Sequence, residues 1–210
     1  MIIGLVGFIG AGKGTVGDLL RDLHGYKQDA FARPLKDAVA NIFGWDRELL
    51  EGATNESRTW REKPDVFWSK KFGHDFTPRT ALQLMGTEAG RDVFHKDVWV
   101  ISLLHRNQDT DVVITDVRFK NEVQAIHDNG GIVVRVRRGA EPLWFDHAAM
   151  ANKGHEAHIE HMRIQGIHSS EWDWIGSQIN HTIYNDGTLA DLRDNVRYLA
   201  QNPTLFLTFP

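Results

Sequence analysis

Three short stretches of the chain carry residue types and spacings suited to phosphate chemistry. The first is GFIGAGKGT, residues 7–15, directly behind the apolar MIIGLV. Its spacing, Gly7-x4-Gly12-Lys13, matches a phosphate-binding P-loop. Glycines let backbone N–H groups turn inward on phosphate oxygens where a side chain would obstruct them, and Lys13 can reach the outer phosphates. A helix starting there adds its positive N-terminal end. A plain glycine-rich strand-to-helix turn has the same composition; the order strand, loop, helix favours phosphate. The second stretch is VVITDVRF. Asp116, at the end of a buried strand beside such a loop, either organises magnesium and its waters or is an ordinary polar strand end. Arg118, two residues on, either forks onto a phosphate or makes a surface ion pair. The third is RVRR, with Arg135, Arg137 and Arg138 at the end of another expected strand. Alternation sends Arg135 and Arg137 to the same side, where they meet an anion or form a solvated basic edge.

The elements that must position these residues follow from the apolar pattern. Residues 2–6 read as a buried strand. A helix from Lys13 to His24 follows, with Val16, Leu19, Leu20 and Leu23 on one face and Gly25 to stop it. YKQDAFARP holds a short second strand and turn. Pro34 starts a helix with Leu35, Ala38, Val39 and Ile42 on one face. Residues 44–76 read as irregular structure with short helices. TPRTALQLMGTEAGRDVF is a clear helix pattern, capped by Thr77 with Pro78 first, and DVWVISLLHRN is another helix or its continuation. DVVITD (111–116) is a continuous apolar run of the parallel-strand kind. FKNEVQAIHDNGG is a helix with a glycine stop, and GIVVRVRR a further strand. Residues 139–180 lack a strong period. HTIYN is a last strand, and TLADLRDNVRYLAQ a closing helix with Leu189, Leu192, Val196 and Leu199 on one face and a Thr188/Asp191 capping box. Strands alternating with amphipathic helices imply a parallel sheet covered on both faces. In such sheets ligands bind beyond the carboxyl ends of the strands, and both the 7–15 loop and Asp116 stand at such ends.

Composition narrows the partners. The 210 residues fit one domain with a mobile insertion. A net charge of −4, from 24 Lys+Arg against 28 Asp+Glu, argues against binding polymeric nucleic acid, and leaves room for a local anion pocket. With no cysteine, a disulfide framework and a thiolate metal site are excluded. The apolar start is one strand long and has no basic segment before it, so no signal peptide is expected. No apolar run approaches the roughly 20 residues of a membrane helix. The expected location is cytoplasmic.

The loop ends GKGT, with Gly14 where a P-loop usually has its hydroxyl and Thr15 one place later. This ending resembles the nucleoside monophosphate kinases of the adenylate kinase type, and it implies magnesium held partly through water by Thr15 and Asp116. The resemblance narrows with ITDVRFKNEVQAI, GGIVVRVRR and HSSE (168–171), joined by FARPLKD (31–37), LQLMGTEAGRDVF with Trp99, and YNDGTLADL. In that order they resemble the deoxynucleoside monophosphate kinases of tailed bacteriophages. Segments 44–76 and 139–165 carry little of the likeness.

The resemblance implies a three-layer α/β/α P-loop kinase fold with a central parallel sheet and helical acceptor-binding and lid insertions, in one domain spanning 1–210. The acceptor-binding region would be 31–99 and the lid 137–170. It implies transfer of the ATP γ-phosphoryl group to a deoxynucleoside monophosphate, with Mg2+, in a monomer or homodimer. Donor binding falls to Gly10, Ala11, Gly12, Lys13, Gly14 and Thr15. Acceptor binding falls to Arg33, Lys36, Gln83, Arg91, Asp116 and Arg118, with Lys13, Asp116 and Arg118 catalytic. Transfer between two anions needs local cations, so at least one of Arg135 and Arg137, with Arg137 preferred, is expected on a donor phosphate or the adenine face. Trp45, Trp60, Trp68 and Trp99 offer base-stacking surfaces or simply core, and Gln83 can bond a base edge. Glu171 is implied to orient a lid residue or a ribose. His155, His158 and His161 read as a polar segment rather than a metal site, since their spacing is HExH and not HExxH. Two other classes share the loop: a small P-loop kinase such as a dephospho-coenzyme A kinase, against which DVRFKNE argues, and a P-loop ATPase or nucleotide-dependent binding module without a small acceptor. The apolar tail TLFLTFP either completes this subunit's core or docks on a neighbour.

Overall fold

In the computed structural model, which describes residues 1–207, the opening apolar run is strand β1 (Ile2–Val6). Ile3, Leu5 and Val6 are fully buried, as a strand covered on both faces requires. Residues 7–12 turn the chain into α1 (Lys13–His24). Val16, Leu19 and Leu20 of α1 enter the core, but Leu23 is exposed, so the apolar seam stops a turn short of the expected one. Gly25, in the left-handed region, ends the helix by returning its amide to the Arg21 carbonyl. Strand β2 (Lys27–Asp29) follows.

The chain forms two compact units: Met1–Ala30 with the chain from Asn107 onward, and Phe31–Arg106. The second unit is helical. It contains α2 (Arg33–Phe43), α3 (Arg47–Glu51), α4 (Asn55–Arg61), α5 (Val66–Phe72), α6 (Pro78–Leu84), a π-helical segment (Met85–Phe94) and α7 (Val98–Arg106). Helices of five to seven residues do not persist alone. Here Asp46, Thr54, Asp65 and Thr77 each cap one by accepting a first-turn amide. Beneath them Val39, Leu50, Phe76 and Ala81 form a small core with Phe43, Trp45, Trp60 and Trp68. Trp45 Nε1 donates to Asp65 at 2.9 Å, and Trp68 Nε1 to the Phe43 carbonyl at 3.0 Å. Trp45, Trp60 and Trp68 are therefore packing residues of this unit. Ile42, expected inward, is exposed, and its neighbour Phe43 packs instead. The helix expected across residues 77–94 widens to π geometry after Leu84. Trp99 lies against that segment: its indole donates to the Gly86 carbonyl at 2.9 Å, and a Cβ on Gly90 would meet its ring.

The chain returns to the first unit with β3 (Val112–Ile114), α8 (Lys120–Asp128), β4 (Ile132–Arg137), α9 (Phe145–Ala151), α10 (Glu156–Ile164), β5 (His181–Tyr184) and α11 (Leu189–Gln201). Five parallel strands form one sheet in the order β2-β3-β1-β4-β5, with Ile3 beside Val113 on one side and Ile132 on the other. On one face α1 and α11 bring Val16, Leu20, Leu192, Val196 and Leu199 into the core cluster. Against β1, Ile126 of α8 leaves no room for a side chain at Gly4. The result is the expected mixed α/β fold, a parallel sheet flanked by helices. Thr188 and Asp191 cap α11 reciprocally, and Leu189 lies outside its buried seam. Of the apolar tail, Phe206 rests 4.6 Å from the His181 ring and belongs to this chain's core, and residues 208–210 lie outside the described residues.

The strand order sets the place for a ligand. From β1 the chain goes out to β2, returns to β3, and crosses to β4 on the other side of β1. The order reverses at β1, and the crevice at such a point lies beyond the strand's carboxyl end. That end is the glycine loop.

Candidate active site

The loop's shape is set by what touches its glycines. At Gly7, φ is +142°, and a Cβ would overlap the Val136 carbonyl oxygen of β4. At Gly12, φ is +101°, and a Cβ would overlap the Asn185 side-chain amide. Neither position admits another residue without moving backbone or partner. Gly12 is the N-cap of α1, and no side chain caps that helix. Its first-turn amides are thus available to an anion. Toward the open side of the loop, a Cβ at Gly10 or Gly14 would meet no atom within 4 Å.

Lys13 folds back across the loop. Its Nζ donates to the Gly7 carbonyl at 2.6 Å and the Phe8 carbonyl at 3.0 Å. Its pKa is lowered to about 8, chiefly by burial and then by the nearby Arg118 guanidinium, while Glu171 and Asp116 oppose the shift. Lys13, Asp116, Arg118 and Glu171 therefore share one electrostatic environment. Asp116 is half-buried just past β3, beside the fully buried Val117. Arg118 Nη1 donates to Glu171 at 3.1 Å and to Ser170 Oγ at 3.4 Å. Its backbone is held as well, because the buried Glu122 accepts from the Arg118 and Phe119 amides at 2.8 and 3.1 Å and caps α8.

Arg135 and Arg137 do lean to one side of β4, toward a shared carboxylate. Arg135 Nη2 donates to both oxygens of Glu141 at 2.7 and 2.6 Å, and Arg137 Nε lies 3.1 Å from the same group. Arg135 is also enclosed by aromatic rings, 5.1 Å from Phe145 and Trp174 and 5.9 Å from Phe8. It ties the loop residue Phe8 to α9. Arg137 stands 5.7 Å from the Tyr184 ring and is more exposed.

Among the histidines, His158 Nδ1 is 3.0 Å from His147 Nδ1, and His147 stacks on His161 at 3.9 Å. No group of three or more His, Asp or Glu side chains among the described residues has a geometry that could hold a metal ion.

The remaining residues of sequence interest belong to the second unit. Lys36 Nζ is paired with Glu51 at 2.6 Å, and Arg47 joins the same carboxylate at 2.7 Å. Arg33 is exposed at the start of α2, Gln83 is exposed on α6, and Arg91 is half-buried in the π-helical segment.

No family model matches the chain. A protein of Acanthamoeba polyphaga mimivirus assigned as a deoxynucleotide monophosphate kinase is 35% identical over 152 residues, covering 66% of this chain and 74% of that protein. The chain belongs to the deoxynucleoside monophosphate kinase family. The deoxynucleoside-5'-monophosphate kinase of Escherichia phage T5 is 29% identical, over 61% of this chain and 72% of that enzyme. Among solved structures, a shikimate kinase from Aquifex aeolicus aligns over 98% of this chain and 99% of its own, at 15% identity and a TM-score of 0.47.

Three features of this kinase escape sequence reading. Asn185, at the end of β5, donates to the Ala11 carbonyl at 2.9 Å. Its signal was its place just after a strand's carboxyl end. Glu122 has a visible signal, a glutamate three residues past a helix start. Glu141, Phe145 and Trp174 around Arg135 had none, since they come from the aperiodic stretch after β4. Among the described residues no helix is long and apolar enough to cross a membrane.

Proposed function

We propose that this phosphotransferase moves the γ-phosphoryl group of ATP to a deoxynucleoside monophosphate, giving ADP and the diphosphate. The observation that carries this reading is the convergence of Lys13, Asp116 and Arg118 at the uncapped N-terminus of α1. Backbone amides and cations gathered where phosphate charge develops are what phosphoryl transfer requires. The donor phosphates lie on the P-loop, residues Gly10, Ala11, Gly12, Lys13, Gly14 and Thr15. Lys13 leaves its two carbonyls for a phosphate oxygen. Arg118 exchanges Glu171 for phosphate. Arg137, beside Tyr184, serves the adenine or an outer phosphate.

The second unit supplies the acceptor contacts: Arg33, Lys36 and Arg91 for the phosphate and Gln83 for the base. Lys36 must leave Glu51 to take part. Residues 31–99 thus act as the acceptor region and 137–170 as a lid. The enzyme works as a monomer or homodimer in the cytoplasm.

Magnesium fits the donor set. Asp116, with the Thr15 hydroxyl, would hold the ion, the other carboxylate near Lys13, Glu171, being paired with Arg118, and no protein cage of three acidic or histidine ligands exists among the described residues. That suits an ion bound mainly by substrate phosphates and water. When bound, it neutralises charge between the outer phosphates.

Two measurements follow. The first is ADP release from Mg-ATP against deoxynucleoside monophosphates, ribonucleoside monophosphates and dephospho-coenzyme A. Stimulation by the deoxynucleotides is expected. Stimulation by dephospho-coenzyme A, or indifference to every acceptor, would replace this reading with another. The second concerns pH. Lys13 grips phosphate only when protonated, and its pKa in the free protein is about 8 rather than 10.5. A bound phosphate raises it again. ATP affinity should therefore fall by up to about tenfold per pH unit above 8, with proton uptake on binding. Calorimetry at pH 8.5 in two buffers of different ionisation enthalpy measures that uptake. No uptake, with constant affinity from pH 7 to 9.5, would exclude the role.

A further inference from the structure

We infer that Asn185 is a positioning residue for the donor phosphate, gripping the outside of the glycine loop and so aiming a loop amide inward. The inference rests on the reading of residues 7–15 as the donor loop. Asn185 Nδ2 donates to the Ala11 carbonyl at 2.9 Å, across 174 residues of sequence. In a trans peptide the C=O and the next N–H point in opposite directions. Holding the Ala11 carbonyl toward β5 therefore turns the Gly12 N–H away from it. That N–H donates to no group among the described residues. It stands at the N-cap of a helix without a side-chain cap, where an anion is the natural partner.

Both sides of the contact are built for it. Asn185 is fixed because its own amide donates to the Arg137 carbonyl at 2.8 Å, and the next residue, Asp186, accepts from the Gly139 amide at 2.6 Å. The edge formed by β4 and β5 thus carries the side chain to the loop. A Cβ on Gly12 would occupy the space of the Asn185 amide, so glycine there serves the grip as well as the backbone turn.

The contact needs a donor, which makes asparagine and aspartate opposites at this position. An aspartate has no proton to give and would set its charge against a carbonyl oxygen close to the incoming phosphate. Freed, the Ala11–Gly12 peptide can rotate and present its carbonyl to the anion.

The test compares ADP with adenosine. Asn185→Asp should weaken ADP binding about tenfold or more, and Asn185→Ala about threefold to tenfold, as expected for one lost hydrogen bond. Adenosine, which has no phosphate, should bind all variants alike, and KM for the acceptor should change less than about twofold. Thermal melts identify any variant that fails to fold, and the alanine variant serves if the aspartate one does. Equal losses for ADP and adenosine would overturn the inference, because Asn185 would then act on the base or on the fold. Lys13→Ala run in parallel separates the two levels. If it leaves ADP binding unchanged, the donor-loop reading itself fails. If it weakens ADP binding and neither Asn185 variant does, only the inference about Asn185 fails.

Discussion

Lys13→Ala should lower kcat by about 100- to 1,000-fold, the usual loss when one preorganised donor to a developing anion is removed. Three observations set the direction. Lys13 opens α1, its ammonium lies inside the glycine loop on the Gly7 and Phe8 carbonyls, and its ionisation responds to Asp116 and Arg118. In the proposed reading it is the cation that accompanies the phosphoryl group during transfer. The fold should survive. The truncation removes two hydrogen bonds to loop carbonyls, but it also removes a charge that burial disfavours. The thermal midpoint should move by only a few degrees, so a large kinetic loss with a near-native melt is the expected pair of results. Normal turnover in this variant would remove the loop from the mechanism.

Asp116→Asn should have the second-largest effect, a fall in kcat of about 100-fold. The substitution keeps shape and removes charge. It acts in two ways that one pH series separates. It withdraws the carboxylate proposed to place magnesium, which should raise the magnesium concentration needed for half-maximal rate. It also withdraws a negative charge that helps Lys13 hold its proton. Asp116 raises the Lys13 pKa, so its loss must lower it, and the alkaline limb of kcat/KM for ATP, which reports the free enzyme, should move below the wild-type position near pH 8. A drop in rate with an unmoved alkaline limb would mean that Asp116 and Lys13 do not sense each other in the working enzyme.

The sequence was most legible where one element dictates the next. Apolar β1, the glycines and the amphipathic seam of α1 name a strand, a loop and a helix in order, and their connection leaves little choice of geometry. Asp116 was visible for the same reason, as the polar residue that ends a buried run. Periodicity overran the core at Leu23, Ile42 and Leu189, because a helical stripe continues in sequence after the sheet or the neighbouring helix has ended. The π-helical segment had no signal of this kind. Its geometry accompanies the Trp99 ring lying against Gly90, a contact made in three dimensions. RVRR was readable as a basic cluster, but the partners of its arginines were not. Glu141, Phe145 and Trp174, which hold Arg135, come from a stretch without a period. Asn185 illustrates the limit most plainly: its place after a strand marks it, but the hydrogen bond that joins residues 11 and 185 is made in three dimensions.

The most direct test of the account is the stoichiometry of products when the purified chain is incubated with Mg-ATP and a single deoxynucleoside monophosphate. ADP and the deoxynucleoside diphosphate should appear in equal amounts, with little ADP formed when the monophosphate is left out. ADP that accumulates at the same rate with or without the monophosphate, and no diphosphate, would contradict the account.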